Sequence, residues 1–262
     1  MSKVIFAKFS NDRAERFSIC TDMVKTDSGK IEVRKYGAGE KAAPHIDDIV
    51  KWSELLTEQY EGSGIMISPT VKKEGYAVSD YIDGKTLEET VDTLIHNGNI
   101  NEAENIVKKY LGIIKERNSS EEFVVTDTFK DIFGDVAFEG KMHSGKVNDI
   151  DMVLGNILVD GNGWHLIDYE WTFDFPVPVE FIMYRVLHYY FETNNSRKAL
   201  KDVMSPEGVS EADIEQFRIM EVNFQNYVKG DKHPLRELYE DIGKPNIHVA
   251  EAVDMMSANM RI

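Results

Sequence analysis

Apolar and polar residues alternate through the first third of the chain and then give way to helical spacing. Val4-Ile5-Phe6-Ala7-Lys8-Phe9 is apolar and β-prone. Arg16-Phe17-Ser18-Ile19-Cys20-Thr21 and Lys30-Ile31-Glu32-Val33-Arg34-Lys35-Tyr36 alternate with the two-residue period of a strand. Polar turns separate them, the second being Thr26-Asp27-Ser28-Gly29 with its hairpin signal Ser-Gly. Pro44 opens a helical pattern with apolar positions Ile46, Ile49, Val50, Leu55 and Leu56, and strand-like stretches follow around Ile65–Ile67 and Tyr76–Val78.

Beyond this point helices dominate. Thr86-Leu87-Glu88-Glu89 is a capping box that starts a helix to about His96. Further helices are expected over about Asn101–Arg117, Pro178–Glu192, Ala212–Val228 with Ser210 as cap, and Ile247–Met260. One β-like island interrupts them: Asn156–Val159, the tight turn Asp160-Gly161-Asn162-Gly163, and Trp164–Ile167. The stretch Ser119–Asn148 is polar and mixed and reads as mostly loop, and loops of that length inside a domain are often functional. The expected fold class is α+β: a β-rich lobe with one main helix over 1–80, a hinge at 81–84, and a helical lobe over 85–262 with an embedded hairpin.

The chemistry concentrates at that hairpin. Asp151 and Asn156 stand in the D-x-x-x-x-N spacing of a phosphotransferase catalytic loop, in which the Asp takes the proton of an attacking hydroxyl and the Asn binds Mg²⁺. Asp168 ends the second hairpin strand, where a second metal ligand would stand. The hairpin folds the chain back so that the base and both metal ligands meet at one phosphate. Asp149 is an alternative base at the wrong offset from Asn156 and reads as structural. The 262 residues carry 30 Lys+Arg against 46 Asp+Glu, a net charge of −16. Such a field repels nucleic acid and anionic membranes, so ATP would need Mg²⁺ and a few well-placed cations. Lys35, at the end of the third strand, meets that need, with Glu54 on the next helix as its chosen partner and Glu40, Asp47 and Asp48 as competitors. A single cysteine, no secretory leader and no apolar run near 20 residues make a cytoplasmic setting without a transmembrane segment the expectation.

Taken together, Asn11-Asp12-Arg13, Arg34-Lys35, Asp151 to Leu158, Ile167-Asp168-Tyr169-Glu170-Trp171, and Pro178-Val179-Glu180-Phe181 followed by Tyr184-Arg185 resemble the protein-kinase-like superfamily. Within it the chain is similar to the small bacterial sugar-kinase-type domain of O-antigen chain-terminating methyltransferase/kinase proteins. The resemblance spans about Phe6 to Val228. It implies a two-lobed protein-kinase-like fold that uses ATP and Mg²⁺ and phosphorylates a hydroxyl of a saccharide, such as a cell-surface glycan terminus. Glycosyltransferase or methyltransferase machinery would then be a partner. It also places adenine at Asp80, Tyr81 and Ile82, and makes 119–148 the acceptor-side segment and 149–171 the catalytic loop.

The departures are informative. The turn Ser10–Glu15 has no glycine, so the phosphate grip would rest on Lys35, Mg²⁺ and Arg13. Asp149-Ile150-Asp151 replaces H-R-D, and Asp168-Tyr169-Glu170 replaces D-F-G with no A-P-E after it. These changes argue against a regulated protein kinase and fit a small-molecule or glycan phosphotransferase. An aminoglycoside- or choline-kinase-like enzyme, whose acidic site would suit a cationic acceptor, a nucleotide-binding pseudokinase or scaffold, and a non-kinase α/β or α+β domain with an accidental motif remain the alternatives. Trp164 and Trp171 are read as packing or as sugar platforms, Arg185 as a holder of the Asp168 loop or a surface charge, and His143 and His165 as ordinary.

Overall fold

The computed structural model describes residues 2–10 and 12–232. The helix expected over Ile247–Met260 lies outside the described residues, as does Asn11. The N-terminal region is an antiparallel sheet and the C-terminal part is helical, as the pattern of the chain requires. Strands β1 (Lys3–Phe9), β2 (Ile19–Lys25), β3 (Ile31–Gly37), β5 (Thr70–Lys73) and β6 (Tyr76–Asp80) form a five-stranded sheet in the order β1-β2-β3-β6-β5. Helix α1 (Ala43–Gln59) lies over it and buries Ile46, Ile49, Trp52 and Leu56. Lys35 sits mid-sheet, opposite Thr21 on β2 and Ala77 on β6. The Ser28-Gly29 turn forms as expected, with Gly29 at φ +85°, a backbone conformation that favours glycine.

The second expected strand starts late. Glu15–Phe17 form a 3₁₀ turn, and pairing begins at Ile19 and continues to Lys25. Ser18 Oγ donates to the carbonyls of Arg13 and Ala14, at 3.1 and 3.2 Å, and bends the chain so that Phe17 plugs the core rather than joining the ladder. β5 was not apparent in the pattern because its side chains are largely exposed on an edge; the turn at Glu74-Gly75 makes it the hairpin partner of β6.

A second, four-stranded sheet joins the two parts of the chain. Its order is β4-β12-β11-β7, built from β4 (Ile65–Ile67), β7 (Lys85–Thr86), β11 (Ile157–Asp160) and β12 (Gly163–Leu166). β4 runs parallel to β12, pairing Ile65 with Trp164 and Ile67 with Leu166. A strand from the first 80 residues therefore completes the sheet of the expected hairpin. Gly84, just before β7, passes so close to β11 that a Cβ there would stand 2.6 Å from the Val159 carbonyl oxygen.

Helices α2 (Leu87–His96), α3 (Ile100–Arg117), α5 (Val179–Glu192) and α6 (Glu211–Lys229) follow, α2 packing on β11 and α3, α3 on α5 and α5 on α6, all close to their expected bounds. Both halves of the Thr86 capping box form, Glu89 N–H to Thr86 Oγ1 at 3.0 Å and Thr86 N–H to a Glu89 carboxylate oxygen at 2.8 Å. Segment 119–148 is less loop-like than expected. It contains α4 (Asp127–Phe133) and the short strands β8 (Glu121–Glu122), β9 (His143–Ser144) and the first residue of β10 (Asn148–Asp149). Thr126 caps α4 through the Phe129 amide, and Phe129, Ile132 and Phe133 turn inward toward α6. β10 pairs with β13 (Thr172–Phe173), which brackets the residues that carry the candidate chemistry.

Candidate active site

Backbone hydrogen bonds and buried apolar side chains fix the loop from Asp149 to Asn156. Ile150 and Met152 point into the core with no exposed surface. Ile150 N–H donates to the Trp171 carbonyl at 3.0 Å, and Tyr110 Oη donates to the Met152 carbonyl at 2.8 Å. Asp151 lies between these two anchors and keeps 22% of its side chain exposed. A 3₁₀ turn over Leu154–Asn156 then brings Asn156 back, so that its Nδ2 donates to the Asp151 carbonyl at 2.8 Å and to the Asp151 carboxylate at 3.3 Å. With Nδ2 so engaged, Oδ1 is the atom that Asn156 has left for a cation.

The hairpin sets the second carboxylate beside the first. Ile167 N–H donates to the Asn156 carbonyl at 3.1 Å, which places Asp168 one residue beyond the open end of the β11–β12 pair. Lys35 Nζ reaches across from the sheet to Asp168 Oδ1 at 2.6 Å, with Lys35 14% and Asp168 36% exposed. Burial works against the Lys35 ammonium, but the charges of Asp168 and Glu170 outweigh it and hold its pKa above the ordinary lysine value. Tyr169 is buried and ties the loop to the sheet side, donating to the Ser68 carbonyl at 2.7 Å and meeting the Thr70 hydroxyl.

Glu54 does not take the role expected of it. It lies on the exposed face of α1, and Lys35 pairs with Asp168 instead. The helical turn explains this, because Ile46, Ile49, Ser53 and Leu56 occupy the inward face and Glu54 falls outside it. From that inward face α1 contributes His45, whose Nε2 stands 3.5 Å from a Glu170 carboxylate oxygen. Arg13 holds the other oxygen of Glu170 through Nη2 at 2.7 Å, and its guanidinium lies 5.1 Å from the Trp171 ring centre. Burial of Glu170 opposes its ionisation, yet His45, Lys35 and Arg13 together keep its pKa well below the usual carboxylate range. His45 carries no distinguishing signal in the chain beyond its place in the first turn after Pro44.

Arg185 also differs from expectation. It is 2% exposed and holds the catalytic loop, not the Asp168 loop. Nε donates to the Ile150 carbonyl at 2.8 Å, Nη2 stands 3.5 Å from Asp151, and Nη1 pairs with Glu221 on α6. Burial drives the Asp151 carboxyl up; Arg185 and Arg13 pull it down while Asp168 and Glu170 raise it, and the outcome is a pKa of about 6. At the expected hinge, Asp80 pairs with Lys30 at 2.6 Å on the surface, and Tyr81 N–H donates to the Ile31 carbonyl at 3.2 Å. Tyr81 is 40% exposed and Ile82 follows it in the link between β6 and β7. Trp171 is buried against Phe17, His45 and Phe224, which makes it core, and Trp164 packs edge-on to Tyr110. His143 bonds Glu180 at 3.0 Å, and His165 Nε2 lies 3.0 Å from Asp160 Oδ1 without a hydrogen bond to it.

Asp149 is the buried member of the pair, 1% exposed, with Oδ1 accepting from the Asp151 N–H at 2.9 Å and Oδ2 without a partner. Burial first, and then the Asp151 charge, raise its pKa well above 3.8. The folded state therefore holds this proton more tightly than the unfolded chain. The resulting stabilisation is complete below the unfolded pKa and is lost as pH rises through the folded one. Asp149→Asn should remove that loss, gaining on the wild type by up to about 1.4 kcal/mol per pH unit across this window. Urea unfolding from pH 4 to 8 checks it, and a difference that stays constant with pH would exclude a buried, protonated Asp149.

Among the described residues no group of three or more His, Cys, Asp or Glu side chains is placed to hold a metal alone. Mg²⁺ does not ask for one: it takes one or two protein oxygens and completes its octahedron with water and phosphate. Asp168 and Asn156 Oδ1 fit that demand.

No protein-family model matches the chain, and no curated protein matches it. Solved structures do align with it. A type I macrolide 2'-phosphotransferase shares 12% identity over 85% of each chain at a TM-score of 0.42. A macrolide 2'-phosphotransferase from Brachybacterium faecium shares 6% identity over 92% of this chain and 93% of its own at 0.43. An ethanolamine kinase from Plasmodium vivax shares 12% over 85% of this chain and 73% of its own at 0.36. At these scores and identities the likeness carries no information on what this chain acts upon.

Proposed function

We propose that this protein is an ATP- and Mg²⁺-dependent phosphotransferase that moves the γ-phosphate to an alcohol, with Asp151 as base. The observation that carries this reading is the convergence of Lys35, Asp168, Asn156 and Asp151 from three separate elements, with Lys35 and Asp168 2.6 Å apart and Asn156 bonded to Asp151. Mg²⁺, held by Asp168 and Asn156, would supply charge neutralisation on the phosphates. Lys35 would grip phosphate oxygens and offset the acidic surroundings. Asp151 would orient the acceptor hydroxyl and take its proton, while Arg185 keeps the loop beneath it rigid. In the transfer, the bond from the γ-phosphorus to the β,γ-bridging oxygen breaks and its electron pair leaves with ADP. A new bond forms from phosphorus to the acceptor oxygen, whose proton passes to Asp151.

The acceptor belongs to one of two classes: a saccharide hydroxyl, such as a glycan terminus, or a small cationic alcohol. The net charge of −16 favours the cationic class. Motif resemblance favours the saccharide, and a cytoplasmic setting with glycosyltransferase or methyltransferase partners goes with that choice. Among the described residues no helix is long and apolar enough to cross a membrane.

A thermal melt tests the nucleotide site without knowledge of the acceptor. Mg·ATP at about 100 times Kd should add about 2.7 kcal/mol of stability. For a chain of this size that is a rise in Tm of several degrees, at roughly 2–4 °C per kcal/mol. Asp168→Ala should lose the Mg²⁺-dependent part of the rise. Absence of any shift in the wild type with ATP or GTP would end the phosphotransferase reading.

A further inference from the structure

The turn between β1 and β2 contains no glycine, and Arg13 is the cation it presents to the site. Its guanidinium is fixed on two sides, by Glu170 at 2.7 Å through Nη2 and by the Trp171 ring at 5.1 Å. The remaining nitrogen, Nη1, is buried and has no hydrogen-bond partner. A buried charged donor left unpaired is costly, and proteins tolerate it where a ligand supplies the missing acceptor. Glu170, which Arg13 holds, stands two residues after Asp168, and the charges of Asp168 and Asp151 also act on the guanidinium. His45, 6% exposed, stands 3.5 Å from the other oxygen of Glu170 without a hydrogen bond to it.

We infer that Arg13 is a catalytic arginine supplied in cis, with Nη1 donating to an oxygen of the phosphoryl group in flight and Glu170 acting as its positioning residue. This rests on the phosphotransferase reading and deepens it. The γ-phosphoryl group spreads negative charge over its three equatorial oxygens as its bond to ADP breaks and its bond to the acceptor oxygen forms. A preorganised guanidinium is worth most at that moment, and little to bound ATP. Glu170 and Trp171 hold the planar group in place in advance, so that ligand binding need only uncover Nη1, which is buried here.

The test compares a ground-state with a transition-state ligand. Wild type, Arg13→Ala, Arg13→Lys and Glu170→Gln are titrated calorimetrically with Mg·ADP, then with Mg·ADP plus aluminium fluoride, a mimic of the phosphoryl group in transfer. Mg·ADP affinity should change by less than about threefold in the Arg13 variants, and affinity for the aluminium fluoride complex should fall by about 10²-fold or more. Glu170→Gln should show a smaller loss in the same direction. Slow ATP hydrolysis lost in Arg13→Ala should return in part on addition of guanidinium ion, a rescue that a mere structural latch would not give. Equal weakening of both complexes, or no rescue, would reduce Arg13 to a latch and overturn the inference. Arg13→Lys keeps a cation in the turn, so it decides the matter if the alanine variant fails to fold. Failure of the wild type to bind Mg·ADP would overturn the phosphotransferase reading itself, a result distinct from the other two.

Discussion

Asp151→Asn should lower turnover by about 10²–10⁴-fold while leaving Mg·ATP binding nearly intact. An amide cannot take the acceptor proton at neutral pH, yet little else in the loop depends on the charge. Asn156 is held chiefly by the Asp151 backbone carbonyl at 2.8 Å, which the substitution keeps, and the side-chain contact at 3.3 Å persists with the amide oxygen. Loss of a carboxylate also eases the repulsion that Asp168 and Glu170 exert there, so an anionic ligand gains rather than loses. Single-turnover transfer beside nucleotide titration separates the two quantities. Turnover equal to the wild type would remove Asp151 from the mechanism, and a parallel loss of binding would mean that the loop had collapsed.

Arg185→Met should cost about 3–5 kcal/mol of stability, the expected penalty for breaking a buried ion pair from one side. The guanidinium packs over Tyr189 and Phe224, with ring centres at 5.1 and 5.0 Å, and methionine replaces most of that volume. What it cannot replace is the partner of Glu221, which is 8% exposed and keeps only the Tyr189 hydroxyl at 2.6 Å and Gln225 at 2.8 Å. The double variant Arg185→Met with Glu221→Gln should recover most of the loss, because the uncompensated charge is then gone. Turnover should not recover with it, since the Ile150 carbonyl and Asp151 still lack their support. Urea unfolding of the three proteins decides the point: a single-variant cost under about 1 kcal/mol would show that the pair is not truly buried.

Much of this arrangement was written locally in the chain. Thr86 with Glu89, Ser210 with Asp213, and the turn Asp160–Gly163 state their structures within four residues, and each forms as read. The D-x-x-x-x-N spacing likewise matches a bond from Asn156 to Asp151, and the hairpin leaves Asp168 next to Ile167, whose N–H donates to the Asn156 carbonyl. Features that depend on distant contacts were not legible in the same way. α4 is only seven residues long and owes its place to Phe129 and Phe133 packing in the core, which its polar neighbours conceal. The apolar run Ile65–Ile67 announces a strand without naming its partner, β12. Glu54 offered the right charge on the right helix, but the rotation of α1 put His45, not Glu54, on the face turned toward Glu170. Periodicity reports which face of an element is apolar, and it is silent on which buried polar group meets which.

The parallel pairing of β4 with β12 has a mechanical consequence. The chain crosses between the sheet side and the helical side through residues 81–84, and the β4 ladder stitches the same two sides together a second time. Arg13 on Glu170, Phe17 against Trp171 and Tyr169 on the Ser68 carbonyl add further ties, so the two sides are joined at many points and not by the covalent link alone. Severing the covalent link alone would leave the halves clasped by the strand that one lends to the other.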